Sequence, residues 1–266
     1  MFGMAGETEF DVRFSVFGIP VRVHPIFWLS SVWLVWGGAD GEPLKVIIGL
    51  LAIFVSVLVH ELGHAFLSRR YGYPSEIVLY ILGGYATATR FSAWKNVKVS
   101  AAGPAAGLAL FALTYAVLRI FMGQSPESLV ENTDLTFAIN MMLFANLTVS
   151  FMNLVPVTPL DGGRIVESLM NRYGGRMAAQ RTLQIGIIAA GLVVVRGIYC
   201  INNPESSLFP LPAAMFPPFF VGGSSYRWLV GSLQPEPRFI TLFFGILCAS
   251  QVATYNEHYG RRQDRR

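Results

Sequence analysis

The sequence predicts an all-α membrane protein of about six transmembrane helices, with a short membrane-associated β-hairpin between helices 2 and 3. Three observations carry that expectation. The 266 residues are 53% hydrophobic and only 14% charged, against about 25% charged in a typical soluble domain. The apolar residues recur in separate runs, several close to the twenty or so that cross a bilayer as a helix. Lys and Arg gather in alternate loops, as cytoplasmic segments do. No polar stretch is long enough for a separate soluble domain, so residues 1–257 read as one polytopic core and 258–266 as a basic cytoplasmic tail.

The elements follow in order. The N-terminus carries Glu7, Glu9 and Asp11 and no basic run before an apolar core, which excludes a cleavable signal peptide. The first span is expected over 25–38, short unless it begins nearer Ile19. The second covers 44–67, and Val46 to Val59 holds no charged residue. The β-branched and aromatic run Ile77–Leu82, then Gly83-Gly84, then the alternating Tyr85–Arg90 read as a hairpin with a two-glycine turn. It is too short to cross a bilayer. Since a sheet edge cannot face lipid, it packs on protein, lines a wet cavity or lies on the cytoplasmic surface. Further spans are expected over 97–122, 135–155, 182–200 and 238–254. The apolar segment 208–231 is rich in Pro and Gly and fits a re-entrant loop, an interfacial patch or a broken extra span.

Charge orients these spans. Arg69, Arg70, Arg90, Lys95 and Lys98 lie between spans two and three, and Arg164, Arg172, Arg176 and Arg181 between four and five. Asp40 and Glu42 follow span one, and Glu127, Glu131 and Asp134 follow span three. Six crossings with both termini cytoplasmic satisfy this alternation. Arg196, inside span five, fits only by snorkelling to the interface. The net charge of +4 comes from these loops and from the Arg-rich tail. The basic partner surface is therefore the lipid bilayer, with no role for nucleic acid. Cys200 and Cys248 show neither metal-ligand spacing nor a disulfide framework and read as small buried hydrophobes.

The chemistry sits at the end of the second span, in His60-Glu61-Leu62-Gly63-His64. Histidines four apart project from one helix face and can hold one metal ion, with the glutamate between them as a base. Hydrocarbon makes ionisable groups costly, so such a trio at membrane depth marks a functional site. The plain alternative is a buried His-Glu-His cluster that only holds helices together. Zinc in a hydrolase usually keeps three protein ligands and an open position. His24 and His258 sit at an interface and in the tail. A carboxylate is thus the expected third ligand, and Asp161 in Asn153-Leu154-Val155-Pro156-Val157-Thr158-Pro159-Leu160-Asp161-Gly162-Gly163-Arg164 is placed for it. Pro156 and Pro159 stop the fourth helix and the glycines allow close backbone approach. The alternative is that Asp161 caps a helix starting near Gly163.

Together these motifs resemble the site-2 protease family of intramembrane zinc metalloproteases. The small-residue stretch Ser100-Ala101-Ala102-Gly103-Pro104-Ala105-Ala106-Gly107 looks like the family's third-span motif. Gly18-Ile19-Pro20-Val21-Arg22-Val23-His24-Pro25 looks like the start of bacterial members. The resemblance implies Zn2+ held by His60, His64 and Asp161. It makes Glu61 the general base that later returns its proton to the leaving amine. Asn146 would be a hydrogen-bonding partner of the substrate carbonyl or oxyanion, or else an interhelical packing amide, with Asn153 a weaker counterpart. It implies a membrane-anchored protein as substrate and a minimal core without a PDZ domain, in the bacterial inner (cytoplasmic) membrane. The glycines and alanines at 101–107 are expected to serve helix packing. Two rivals remain: a membrane metal transporter, and a catalytically silent homologue that binds membrane helices.

Overall fold

The computed structural model describes residues 6–36, 39, 42–81, 83–86, 91–124, 133–204, 206, 208 and 236–259. Asp40, Arg90, Glu127, Glu131, nearly all of 208–231 and the Arg-rich end of the tail lie outside the described residues. The helices are α1 (Pro25–Trp36), α2 (Pro43–Arg70), α3 (Ala93–Gln124), α4 (Thr133–Leu154), α5 (Asp161–Tyr173), α6 (Ala178–Asn202) and α7 (Pro237–Tyr259). The strands are β1 (Val12–Val16), β2 (Ile19–Val23), β3 (Ile77–Tyr80) and β4 (Gly83–Ala86).

Among the described residues five helices, α2, α3, α4, α6 and α7, are long and apolar enough to cross a membrane, and the chain is an integral membrane protein. The first expected span is the exception. α1 has 12 residues, about 18 Å at helical rise, against a hydrocarbon layer of about 30 Å. It does not start nearer Ile19 because Ile19-Pro20-Val21-Arg22-Val23 forms β2, with Ile19, Val21 and Val23 buried and Pro20 exposed.

The chain divides into two compact units, one of residues 1–90 and 102–150, the other of 91–101 and 151–266. In the first, the strands form one sheet in the order β1-β2-β3-β4. β1 and β2 are an antiparallel hairpin turning at Phe17 and Gly18, with φ of 51° and 73°, the left-handed pair that a two-residue type I′ turn requires. This hairpin is absent from the sequence-based expectation, although Val12, Phe14 and Val16 alternate with Arg13 and Ser15. β2 runs parallel to β3, Val21 opposite Ile77, and α1 and α2 form the crossover that parallel strands need. Ile19, Val21, Val23, Ile77 and Leu79 join Phe27, Val35, Ile53, Val57, Leu62, Ala65 and Ala145 in one apolar cluster.

The expected hairpin at 77–90 forms with a shifted turn. Tyr80 pairs with Gly83 and Val78 with Tyr85, so Gly83 and Gly84 belong to the strand and not to the turn. Ile77, Val78 and Leu79 of β3 are all buried. Residues 87–90 lie outside the described residues. Helices α2, α3 and α4 approach through small residues: a Cβ on Gly63 would meet the Ala102 carbonyl, and one on Gly107 the Ser150 hydroxyl.

At the amino end, Asp11 accepts hydrogen bonds from the Thr8 hydroxyl (2.6 Å) and from Arg22 Nη1 (2.9 Å). The Thr8 hydrogen bond foremost, then Arg22, holds this carboxyl well below the usual carboxylate range. In the unfolded chain it titrates near 4. The folded state thus binds this proton less readily. The stabilisation is complete above about pH 4 and is lost as pH falls further through the folded value. The protection of β1 and β2 amides against hydrogen exchange, taken relative to the intrinsic rate at each pH, should fall below about pH 4 in the wild type. Asp11→Asn should flatten that dependence, and an unchanged acid response in the variant would refute the assignment.

In the second unit, Val157, Ala190, Cys200, Leu208, Ile240, Phe244 and Leu247 form the core. α6 meets α7 closely where Gly186 faces Gln251 and Gly197 faces Thr241. Buried Gln251 donates from Nε2 to the Thr158 carbonyl (3.1 Å) and hydroxyl (3.0 Å), which satisfies an amide that would otherwise be costly to bury. Arg196 lays its guanidinium over the Tyr199 ring, 5.3 Å from the centroid, a cation–π contact that eases the cost of its place in an apolar helix.

Candidate metal centre

α2 starts with Pro43 at its first turn, where the missing N–H costs nothing, and runs unbroken past the pentad to Arg70. His60, Glu61 and His64 are 3%, 5% and 7% exposed. Charged or strongly polar groups this deep need a partner or a cation. The two imidazoles stand edge to face, 4.9 Å between centroids, with Nε2 of His60 3.2 Å from Nε2 of His64. Helical spacing thus brings two lone-pair-bearing nitrogens to one point.

Asp161 arrives from a different local design. After α4 the chain turns through the Val157 N–H to Val155 carbonyl (2.7 Å) and the Leu160 N–H to Val157 carbonyl (2.9 Å) hydrogen bonds. α5 then begins at Asp161, with Leu160 in the N-cap position and no side-chain cap. Asp161 is thus the first helical residue and not the N-cap, and its charge lies favourably at the positive helix end. A Cβ at Gly162 would strike the Leu154 carbonyl, and one at Gly163 the backbone of Val157 and Thr158. Only glycines let α5 start this close to the preceding turn.

One donor atom from each of His60, His64 and Asp161 lies within 4.8 Å of the others, and all three residues are buried. Two imidazole donors and a carboxylate suit a divalent ion of zinc type. The other histidines are engaged elsewhere. Ile26 N–H donates to His24 Nδ1 (3.2 Å), whose ring packs on Tyr80, and exposed His258 lies 2.9 Å from the Thr254 carbonyl. Asn146 on α4 is 1% exposed and donates from Nδ2 to the Met142 carbonyl (2.8 Å). Its buried Oδ1 accepts no hydrogen bond among the described residues. The uncommitted atom is thus an acceptor, suited to a peptide N–H, whereas a carbonyl or oxyanion would need the second Nδ2 hydrogen. Asn153 lies in the last turn of α4, half-buried.

The second helix of this membrane-helical fold buries a His-Glu-x-x-His pair, with an aspartate among the candidate metal donors. The chain belongs to Peptidase family M50, whose family model matches residues 48–196. A zinc metalloprotease of Methanocaldococcus jannaschii is 25% identical over 197 residues, 73% of this chain and 56% of that protein. Stage IV sporulation protein FB of Bacillus subtilis is 27% identical over 159 residues, 58% of this chain and 49% of that protein. The chain spans about half the length of the curated relatives it matches. Among solved structures, the site-2 protease from Methanocaldococcus jannaschii has the same fold, with a TM-score of 0.52 at 21% identity over 90% of this chain and 95% of that one.

Proposed function

We propose that this chain is a zinc endopeptidase that cleaves a transmembrane segment of a membrane-anchored protein within the bilayer. The observation that carries the reading is the buried group of His60, His64 and Asp161 donors with Glu61 between the two histidines. The kinship with zinc metalloproteases supports it. A zinc ion held by these three residues would polarise a peptide carbonyl and bring the pKa of a neighbouring water toward neutrality. Glu61 takes the proton of that water and returns it to the leaving amine. Asn146 Oδ1 accepts an N–H of the substrate backbone and helps to hold it extended. Residues 1–257 act as the catalytic core and 258–266 as its basic tail, with both termini on the cytoplasmic side of a bacterial inner membrane, as the loop charges support.

A substrate helix hides its carbonyls in hydrogen bonds, so the segment must be extended before it is cut. β4 is the outer strand of the sheet beyond β3, and it supplies the edge to which the extended segment adds. β3 is paired on both sides, so a proline at Leu79 would break the sheet without testing this. Prolines placed singly at Gly84 and Tyr85 do test it, because successive N–H groups point to opposite edges of a strand. One of the two should slow cleavage severalfold in a folded enzyme. Wild-type turnover in both would remove strand addition from the mechanism.

The reading as a whole is tested by reconstituting the chain in liposomes with tagged single-pass segments. Cleavage within the membrane segment, stopped by a chelator and restored by zinc, is the expected result. A folded, zinc-loaded protein that cuts no such segment from a broad panel would sink the proposal.

A further inference from the structure

The third-helix stretch 101–107 was expected to serve packing, and Ala102, Ala106 and Gly107 lie in close helix contacts. Gly103 differs from its neighbours. A Cβ built on it would fall on Nε2 and Cε1 of His64 and within 2.8 Å of Nε2 of His60. By contrast, the nearest neighbours of a Cβ at Gly63 are the Ala102 backbone and the Ala106 methyl, and at Gly107 the Ser150 hydroxyl. Gly103 alone of these glycines faces the nitrogens that would bind a metal.

We infer that Gly103 is a metal-positioning residue. Its missing side chain keeps open the space in front of both imidazole nitrogens. A methyl group there occupies the volume a cation needs and drives the His64 ring off its bearing. The inference rests on the proposed zinc site and deepens it by assigning one wall of that site to α3. The atoms in the way are the far ends of two side chains and not backbone. The apoprotein can therefore absorb the methyl by tilting imidazoles, and the cost falls on metal binding instead of folding.

The test uses the full chain in detergent, stripped with a chelator and titrated with zinc, with metal content read after desalting. Wild type and Gly107→Ala should each take up one zinc per chain. Gly103→Ala should bind about 10–100-fold more weakly, the range seen when a residue that orients metal ligands is lost. Its chelated form should keep the helical signal and melting midpoint of the chelated wild type. Zinc binding by Gly103→Ala as tight as wild type overturns the inference and leaves the site intact. So does a chelated Gly103→Ala protein that has already lost its helical signal while chelated Gly107→Ala retains it, because the glycine then acts through packing. If the wild type itself takes up no zinc, the proposed function falls as well.

Discussion

Glu61→Gln should lower intramembrane cleavage by about a thousandfold while zinc content stays at the wild-type level. The substitution is isosteric and leaves the α2 backbone unchanged, so it removes proton acceptance and little else. General acid–base groups contribute about 10²–10⁴-fold, and about a thousandfold lies at the middle of that range. Glu61 is 5% exposed, so bulk water cannot easily replace it as the base. The measurement is a single-turnover cleavage rate in liposomes beside a metal assay on the same sample. Activity within tenfold of wild type would disqualify Glu61 as the base. Zinc flux across the liposome that depends on Glu61, with no peptide bond cut, would favour transport.

Asp161→Ala is expected to abolish both metal retention and cleavage. Zinc hydrolase sites usually hold the ion by three protein ligands, and two imidazoles alone would leave it to the chelating power of the buffer. The loss of affinity should exceed the 10–100-fold typical of removing an outer partner. Folding should be affected little. Asp161 is the first helical residue of α5, with Leu160 and not Asp161 in the N-cap position. Its structural worth is then the helix-end charge interaction, about 0.3–1 kcal/mol. The discriminating pair of measurements is zinc content and the melting midpoint of the chelated protein. Unchanged zinc binding would show that the third ligand lies elsewhere.

The His60 and His64 pair was legible because the helical period alone puts residues four apart on one face, and Glu61 was legible as the carboxylate between them. Asp161 was legible as an anomaly: a carboxylate between helix-stopping prolines and paired glycines beside an apolar run. The amino-terminal hairpin was not. Its strands are five residues each, β1 is exposed along nearly its whole length, and its partner β3 lies two helices away. Local pattern cannot reveal a pairing of that range, so Ile19–Val23 looked like the lead-in to a span. The turn at Gly83-Gly84 was misplaced for a related reason. Two glycines favour a turn locally, but a glycine also fits an extended strand, and here Gly83 and Gly84 pair with Tyr80 and Leu79. Gly103 could not be told from its neighbours, since a glycine against a helix and a glycine against two ring nitrogens are the same letter.

The parallel match of Val21 with Ile77 has a consequence for biogenesis. During synthesis β2 leaves the ribosome before α1 and α2, so the edge that pairs with β3 waits until both helices have been made and the chain has returned. Closure of the sheet therefore reports that the helix bearing the pentad is already in place. A nascent chain with a faulty second helix would be left with an open strand edge, a ready mark for quality-control proteases.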